Sequence, residues 1–185
     1  IEKLCSSIAE TAKKLSYDYE HIVIDNCSND STVSILKKIA TTDKNLKIII
    51  NTRNFGHIRS PIHAMLQAKG DAVILMSSDF QDPVDLISKY LVEWEKGHSV
   101  VMAQKNTTDE DSKKHLIKKY FYKFINSISE IPLLLNTTGA GLFDRKIIEE
   151  VRKAKDPYPY FRGLISEITS DIKLIPFHQP KRLHG

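Results

Sequence analysis

The fold is decided by a stretch of twelve residues, Ala72-Val73-Ile74-Leu75-Met76-Ser77-Ser78-Asp79-Phe80-Gln81-Asp82-Pro83. Its first five residues are apolar and have the length of a strand, and the polar loop that follows carries two carboxylates and one amide. Pro83 is placed to start the next helix. Because loops at the carboxyl ends of strands form the ligand crevice of open α/β sheets, the stretch predicts a buried strand that ends in a binding site.

Two side chains of this loop are candidate metal ligands. Asp79 and Gln81 are two positions apart, so in an extended segment both side chains would point to the same side. Two hard oxygen donors, with water and a diphosphate completing the shell, suit Mg²⁺ or Mn²⁺. The spacing alone is equally compatible with an ordinary acidic turn that is closed by a proline.

Alternating strand and helix patterns surround this stretch. Short runs rich in branched residues predict strands at residues 21–25, 46–50, 72–76 and 99–102. The helical spacing of apolar residues predicts helices at residues 32–40, 57–68 and 84–95. This alternation is typical of an α/β fold in which helices cover both faces of a parallel sheet. After Met102 the pattern loosens into a polar loop, an amphipathic helix and a less regular tail.

The chain opens on a predicted helix at residues 1–15, whose apolar side chains Leu4, Ile8, Ala12 and Leu15 form one stripe. A doubly wound fold opens on a strand instead. We therefore expect residues 1–185 to form a single domain that is truncated at both ends and whose sheet lacks its first strand.

Two further polar segments follow predicted strands. Asp25 ends a strand, and its carboxylate could accept hydrogen bonds from a nucleotide base or a ribose hydroxyl. The small polar residues at 28–32 are equally well explained by a turn that only caps the next helix. In the segment 53–57, the guanidinium of Arg53 and the start of a helix could both meet phosphate.

Composition and charge restrict the function classes. The chain has 185 residues, which suits one domain, and a net charge of +4, which permits phosphate-rich partners without requiring them. Cys5 and Cys27 are too few for a disulfide framework or a zinc ribbon, which favours a reducing, cytoplasmic setting. No apolar run approaches the ~20 residues of a membrane span. The phosphate-loop, dinucleotide, serine hydrolase and HExxH zinc motifs are also missing.

Three segments together resemble one enzyme family. Residues 25–32 (DNCSNDST) are similar to its DDGSxDxT loop, and residues 78–83 (SDFQDP) to its DADLQDPP loop. Asn54-Phe55-Gly56, Ala64 and residues 68–71 (AKGD) resemble its NxG…A…AxGD segment. These motifs are typical of inverting glycosyltransferases of family two with the GT-A fold, and above all of polyprenyl-phosphate and dolichol-phosphate sugar transferases. Residues 161–163 (FRG) and 180–185 (PKRLHG) resemble the FxRGL and R…G elements of that branch.

The resemblance implies a Rossmann-like GT-A fold and metal-dependent transfer of a sugar, with inversion, from a UDP- or GDP-sugar to a polyprenyl phosphate, without a nucleic-acid partner. It implies nucleotide-sugar binding by Asp25, Asn54, Gly56, Ser78 and Asp79, and binding of Mg²⁺ or Mn²⁺ by Asp79 and Gln81. Asp79 is then also a catalytic residue, with phosphate contacts from Arg162 and Arg182. For a single arginine, a surface salt bridge is the commoner role.

The chain departs from the family pattern at three positions. Ser77 stands in place of the first acid of the later loop, Asn26 in place of the second acid of the early loop, and Val84 in place of the second proline. The late segment also lacks the ED and QxxRW motifs that accompany a general base for a hydroxyl acceptor. Two alternatives stay open: an inactive scaffold that keeps the fold, and a glycosyltransferase that acts on a saccharide hydroxyl.

A basic amphipathic helix is predicted at residues 113–128. Its apolar stripe can pack on the sheet, or the helix can lie among the headgroups of an anionic membrane, and the apolar residues 131–135 extend this surface. Packing on the sheet and membrane contact through residues 113–135 both stay open. The family resemblance implies action of the full-length protein at the cytoplasmic face of a membrane.

Overall fold

This computed structural model describes residues 1–106, 136–156, 158 and 160–180. The described elements follow one another in chain order as α1 (Glu2–Ala12), β1 (His21–Asp25), α2 (Thr32–Ala40), β2 (Leu46–Ile50), α3 (Gly56–Gln67), β3 (Ala72–Leu75), α4 (Leu86–Glu95), β4 (Val100–Lys105), β5 (Thr137–Asp144), α5 (Arg145–Ala154), α6 (Phe161–Ile168) and β6 (Ile172–Phe177).

The described strands form two sheets. β1 and β2 pair in parallel, from His21 opposite Leu46 to Asp25 opposite Ile50. The other sheet has the order β3-β5-β4-β6, in which β4 pairs in parallel with β6 and β5 runs antiparallel to both of its neighbours. Because β3, β4 and β6 share one direction, this sheet is mostly parallel. No described strand pairs with both β1 and β3. The loss of a first strand stays a prediction.

Helices cover both faces of the four-stranded sheet. Val100 and Met102 belong to a core that this sheet forms with α3, α5 and α6. Val101 and Ala103 point to the opposite face and belong to a core formed with α4. This alternation along β4 is required of a strand that is buried on both sides. A third, smaller core lies between α1, α2 and the β1–β2 sheet, around Cys5, Leu36 and Leu46.

Both sheets present their carboxyl edges on the same side of the molecule. Glu20, which precedes β1, accepts hydrogen bonds from Lys47 near the start of β2 and from the backbone N–H of Lys69, shortly before β3. On the same side, Tyr17 donates a hydrogen bond to Glu95 at the end of α4. The amino ends of β1, β2 and β3 therefore meet, and the loops that follow these strands lie together at the opposite side, here called the carboxyl edge.

The structure corrects the predicted tail and the direction of one strand. Residues 137–154 and 161–177 are mostly regular, since they contain β5, α5, α6 and β6. The sheet is not wholly parallel, because β5 inserts antiparallel between β3 and β4. A Cβ atom on Gly141 of β5 would lie 2.4 Å from the carbonyl oxygen of Val101, so the close approach of the two backbones requires a glycine.

Several predicted boundaries also move. The helix predicted from residue 84 begins at Leu86, and Pro83 and Val84 form a turn whose carbonyls accept from the N–H groups of Leu86 and Ile87 at 3.0 and 3.1 Å. The helix predicted at 1–15 is Glu2–Ala12, the strand predicted at 72–76 ends at Leu75, and the strand predicted at 99–102 extends to Lys105.

Candidate active site

Four segments lie at the carboxyl edge. The turn at residues 26–31 follows β1, the segment 51–55 follows β2 and leads into α3, and the loop at residues 77–82 follows β3. Because β5 runs antiparallel, its first residue, Thr137, lies at the same edge, opposite Gln104 near the end of β4. The fold therefore gathers the polar segments that the sequence singled out.

The loop at residues 77–82 is a turn and not an extended segment. Phe80 has a φ of 62°, in the left-handed region, and Asp79 Oδ1 accepts a hydrogen bond from the N–H of Gln81 at 3.1 Å. The argument that Asp79 and Gln81 share a side because the backbone is extended is therefore wrong. Both residues still lie on one tight turn, partly exposed at the carboxyl edge, and Ser78 is exposed beside them.

Asp82 is the buried carboxylate of this loop, which the sequence did not single out as a site residue. Its side chain is 3% exposed, and Oδ2 accepts hydrogen bonds from both the N–H, at 2.9 Å, and the hydroxyl of Ser77. Its Oδ1 has no hydrogen-bond partner among the described residues, and the same is true of the hydroxyl of the fully buried Tyr90. Burial, reinforced by the charges of Asp82 and Asp85, raises the pKa of Tyr90 well above its usual range.

The donor set of the loop fits a divalent cation that takes most of its ligands from a substrate. Mg²⁺ in particular binds through one or two protein carboxylates together with phosphates and water. No three His, Cys, Asp or Glu side chains gather into a cage within the part of the chain that the structure describes. A cation would therefore depend on Asp79, Gln81 and a diphosphate. The hydrogen bond from the N–H of Gln81 orients the Asp79 carboxylate on this turn.

Asp25 stabilises the turn after β1. The residue is buried, and its Oδ2 accepts hydrogen bonds from the N–H groups of Cys27 and Ser28, both at 3.1 Å. These contacts hold Cys27 at a φ of 69°. The geometry agrees with the capping-turn interpretation, and a contact of Asp25 with a nucleotide stays a prediction.

A network of three asparagine side chains joins the ends of β1 and β2, and the sequence analysis missed it. Asn26 Nδ2 donates to Asn54 Oδ1 at 2.8 Å and to the carbonyl of Gly56 at 3.3 Å. Asn26 Oδ1 accepts from Asn51 Nδ2 at 3.1 Å and from the N–H of Phe55 at 2.9 Å. The occurrence of asparagine just after two neighbouring strands was the signal that could have revealed this network.

The network fixes the start of α3. Asn54 Oδ1 also accepts the N–H of Gly56 at 2.8 Å, and Asn51 Nδ2 donates to the buried hydroxyl of Ser60 at 3.0 Å. Gly56 has a φ of 83°, which a glycine adopts without strain. There is room for a Cβ atom, which would meet nothing within 4 Å, so it is this backbone angle that favours a glycine. Asn54 and Gly56 thus shape the helix start at the carboxyl edge.

Arg162 lies at the carboxyl edge, in the first turn of α6. Its Nη1 donates to the carbonyl of Thr137 at 3.0 Å, and its guanidinium lies 5.8 Å from the ring centre of Tyr160. The described arginines that form ion pairs are Arg145 and Arg152. Arg162 therefore has no carboxylate partner among the described residues, so the alternative role, a surface salt bridge, is not seen there.

A second group of cations lies near the start of α3. The guanidinium groups of Arg53 and Arg59 lie 4.3 and 5.5 Å from the ring centre of Phe55, and Arg59 also contacts the ring and hydroxyl of Tyr158. We call these four residues the arginine–aromatic cluster. It bridges α3 to the segment before α6, and neither arginine has a carboxylate partner within the described chain.

Two predicted features lie outside the described residues, namely Arg182 and the basic helix at 113–128 with its apolar extension to residue 135. For the described ranges, no helix combines the length and the apolar character needed to cross a bilayer.

Comparisons with known proteins agree with the motifs. The model of the family described as "Glycosyl transferase family 2" matches residues 1–152. A relative from Bacillus subtilis (strain 168), "Uncharacterized glycosyltransferase YkcC", is 28% identical over 186 residues, which cover 100% of this chain and 58% of the relative. The "Bactoprenol glucosyl transferase" of Shigella phage SfV is 26% identical over 180 residues, which cover 97% of this chain and 59% of the relative. The chain thus spans less than two thirds of these relatives.

Two solved structures share the fold. The mannosyltransferase PcManGT from Pyrobaculum calidifontis, in complex with GDP-Man and Mn²⁺, has a TM-score of 0.60 and 16% identity, with 99% of this chain and 55% of that chain covered. S. aureus TarS 1-349 has a TM-score of 0.59 and 16% identity, with coverage of 92% and 53%. At this identity, the likeness establishes the GT-A fold.

Proposed function

Because this chain belongs to glycosyl transferase family 2, we propose that it transfers a sugar from a nucleotide-sugar donor to an acceptor, with inversion at the anomeric carbon and with the help of a divalent cation. The observation that carries the proposal is the position of the 77–82 loop, the turn after β1 and Arg162, all of which lie at the carboxyl edge. Ligands of open α/β folds bind at this edge.

The donor in this proposal is a UDP- or GDP-sugar. Asp25, Asn54, Gly56 and Ser78 lie in the three segments that would surround the nucleotide, and Asp79 and Gln81 would hold Mg²⁺ or Mn²⁺. When bound, the cation supplies charge neutralisation at the diphosphate leaving group. The asparagine network supports the proposal because it holds two of these segments in a fixed relation before any ligand arrives.

The acceptor in this proposal is a polyprenyl phosphate. The name of the relative from Shigella phage SfV supports this choice. A phosphate is already anionic and needs positioning rather than a general base, and a guanidinium without a carboxylate partner suits that task. Arg162 fulfils this condition among the described residues, and we assign the same task to Arg182.

We place the reaction at the cytoplasmic face of a membrane, with contact through residues 113–135. The arginine–aromatic cluster supports this placement, because Tyr158 is 70% exposed next to two arginines that lack carboxylate partners within the described chain. Exposed aromatic rings and arginines are favoured where a protein meets anionic headgroups.

The donor site is tested by calorimetry. We expect UDP or GDP to bind the unmodified protein more tightly in the presence of Mn²⁺. Asp79→Ala should abolish the part of the affinity that depends on Mn²⁺, because a metal-bound carboxylate is lost. Asp85→Ala is the matched control, since Asp85 lies beyond the loop and pairs on the helix surface with Lys89 at 2.8 Å. Equal binding of Mn²⁺ and nucleotide by Asp79→Ala and by the unmodified protein would show that the site is misassigned.

Two alternatives are separated by a transfer assay. The protein is offered a polyprenyl phosphate and a free sugar with an open hydroxyl in the same reaction, and we expect product on the phosphate. Product on the hydroxyl alone would favour a saccharide acceptor. Nucleotide binding without any transfer would favour the inactive scaffold that Ser77 suggests.

A further inference from the structure

Ser77 and Asp82 close the loop that carries the candidate metal ligands. Asp82 Oδ2 accepts two hydrogen bonds from Ser77, one from the backbone N–H and one from the hydroxyl. The two residues bracket Asp79 and Gln81 in the chain. The contact therefore joins the two ends of the turn, and we call it the Ser77–Asp82 clasp.

Within the described part of the chain, no cation pairs with the Asp82 carboxylate. The described ion pairs do not include it, its Oδ1 is buried without a hydrogen-bond partner among the described residues, and its charge acts on the buried Tyr90 of α4. An ionised carboxylate that is buried without a cation destabilises a fold unless its hydrogen bonds compensate. The compensating contacts seen here are the two hydrogen bonds that Ser77 donates to Asp82 Oδ2. We therefore infer that Asp82 acts as a hydrogen-bond acceptor in a fixed position, and not through its charge.

We propose that Asp82 is a positioning residue for the donor site, which acts through Ser77 to hold Asp79 and Gln81 in the geometry that binds the cation and the diphosphate. The inference rests on the proposed function, but it assigns a task to two residues that the motif analysis left without one. It also gives Ser77 a purpose of its own, as the donor of the clasp.

The first measurement needs no ligand. We expect the Ser77 amide to exchange slowly with deuterium in the unmodified protein, because Asp82 accepts its hydrogen. Asp82→Ala should speed that exchange by about tenfold or more, whereas Asp82→Asn should keep it slow, because the amide oxygen can replace Oδ2 as the acceptor. A Ser77 amide that exchanges at the rate of an unstructured peptide in the unmodified protein would overturn the proposal.

The second measurement is the Mn²⁺-dependent binding of UDP or GDP. We expect Asp82→Ala to weaken it by about tenfold or more, Ser77→Ala to weaken it less, and Asp82→Asn to leave it within about twofold of the unmodified protein. The double variant Ser77→Ala/Asp82→Ala should bind no more weakly than Asp82→Ala alone, because the Ser77 hydroxyl acts through Asp82. Tyr90→Phe is the matched control in the same pocket, since its hydroxyl has no partner among the described residues.

The outcomes separate the possible roles. If Asp82→Asn loses binding as completely as Asp82→Ala, Asp82 acts through its charge and the positioning role is wrong. If Asp82→Ala binds normally, the clasp is irrelevant to the site. If Asp82→Ala fails to fold, two milder variants still test the positioning role. Ser77→Ala changes an exposed residue, and Asp82→Asn keeps the size and the acceptor oxygen of the side chain. If the unmodified protein binds no nucleotide at all, the proposed function fails, while the exchange measurement still tests the clasp.

Discussion

Asn26 both donates and accepts hydrogen bonds, which an ionised aspartate in its place could not do. The orientation of its amide is set by the backbone, because the N–H of Phe55 must meet Oδ1 and the carbonyl of Gly56 must meet Nδ2. The N–H of Gly56 likewise fixes Asn54 Oδ1 as an acceptor. The local structure therefore requires an amide side chain at this position, where the family pattern has its second acid.

Asn26→Asp should destabilise the protein. The substitution places a carboxylate oxygen 2.8 Å from the acceptor Asn54 Oδ1 and removes two donated hydrogen bonds, at a cost of about 1–3 kcal/mol. Urea unfolding of the variant and the unmodified protein measures this difference. Asn29→Asp, at an exposed position of the same turn, is the control and should change the free energy of unfolding by less than about 0.5 kcal/mol. Equal losses in the two variants would contradict the role given to the network.

The site residues that could be predicted are those whose positions depend on nearby residues in the sequence. The positions of Asp79, Gln81 and Asp25 at strand ends follow from local patterns. The partners of Asn26 could not be predicted in this way, because they lie 25 to 30 positions away and depend on how β1 and β2 pair. The turn at Phe80 was missed because a left-handed backbone at a bulky residue is uncommon.

Among the elements, β6 is held to β4 by a polar contact at the amino edge. Asp171, just before β6, accepts from the N–H and hydroxyl of Ser99 at 3.0 and 3.1 Å and contacts His98 Nδ1 at 2.9 Å. The contact with His98, followed by the hydrogen bond from the Ser99 N–H, lowers the pKa of Asp171 to about 2. Three groups from the loop before β4 thus converge on one carboxylate.

This contact predicts a specific dependence of stability on pH. The pKa of Asp171 is lower in the folded state than its ordinary value of 3.8, so the ionised form is favoured by folding. Its contribution should be complete above about pH 4 and should be lost as the pH falls toward 2. The free energy of unfolding, measured between pH 2 and 5, should fall less steeply in Asp171→Asn than in the unmodified protein. Parallel curves for the two proteins would contradict the assignment, and Asp85→Asn serves as the control.

The elements that the sequence predicted best are those with strong periodicity. Strands β1 and β2 and helix α2 have their predicted bounds, because their apolar residues are regularly spaced. Strand β5 was missed, because its sequence Thr137-Thr138-Gly139-Ala140-Gly141 contains two glycines, which are rare in strands. Gly141 is required because its backbone lies very close to β4. This contact joins residues that are far apart in the sequence, so no local pattern could predict it.

The whole molecule consists of two sheets that differ in the size of their cores. The core of the β1–β2 sheet contains three buried side chains among the described residues, whereas the four-stranded sheet is buried between two larger cores. Contacts such as those of Glu20 and Tyr17 join the two parts at the amino edge. The β1–β2 part therefore has fewer packing contacts to lose when it opens locally.

We expect the two parts to open at different free energies. In native-state hydrogen exchange at low denaturant, the amides of β1 and β2 should exchange through an opening that costs less, by a few kcal/mol, than the opening that exposes β4 and β5. Leu36→Ala should lower the first opening energy by about 2–5 kcal/mol and leave the second unchanged. A single opening energy for all four strands, shifted equally by Leu36→Ala, would show that the molecule unfolds as one unit.

The order of the strands also has a consequence for synthesis on the ribosome. Strand β5 lies between β3 and β4, yet it follows β4 in the chain by more than thirty residues. A nascent chain that has emerged only as far as Lys105 has made β3 and β4, but the strand that joins them is still to be translated. Both then expose the backbone edges that β5 will later occupy, and such edges readily pair with other chains. Until residue 144 has left the exit tunnel, these edges of β3 and β4 therefore stay unpaired by their native partner.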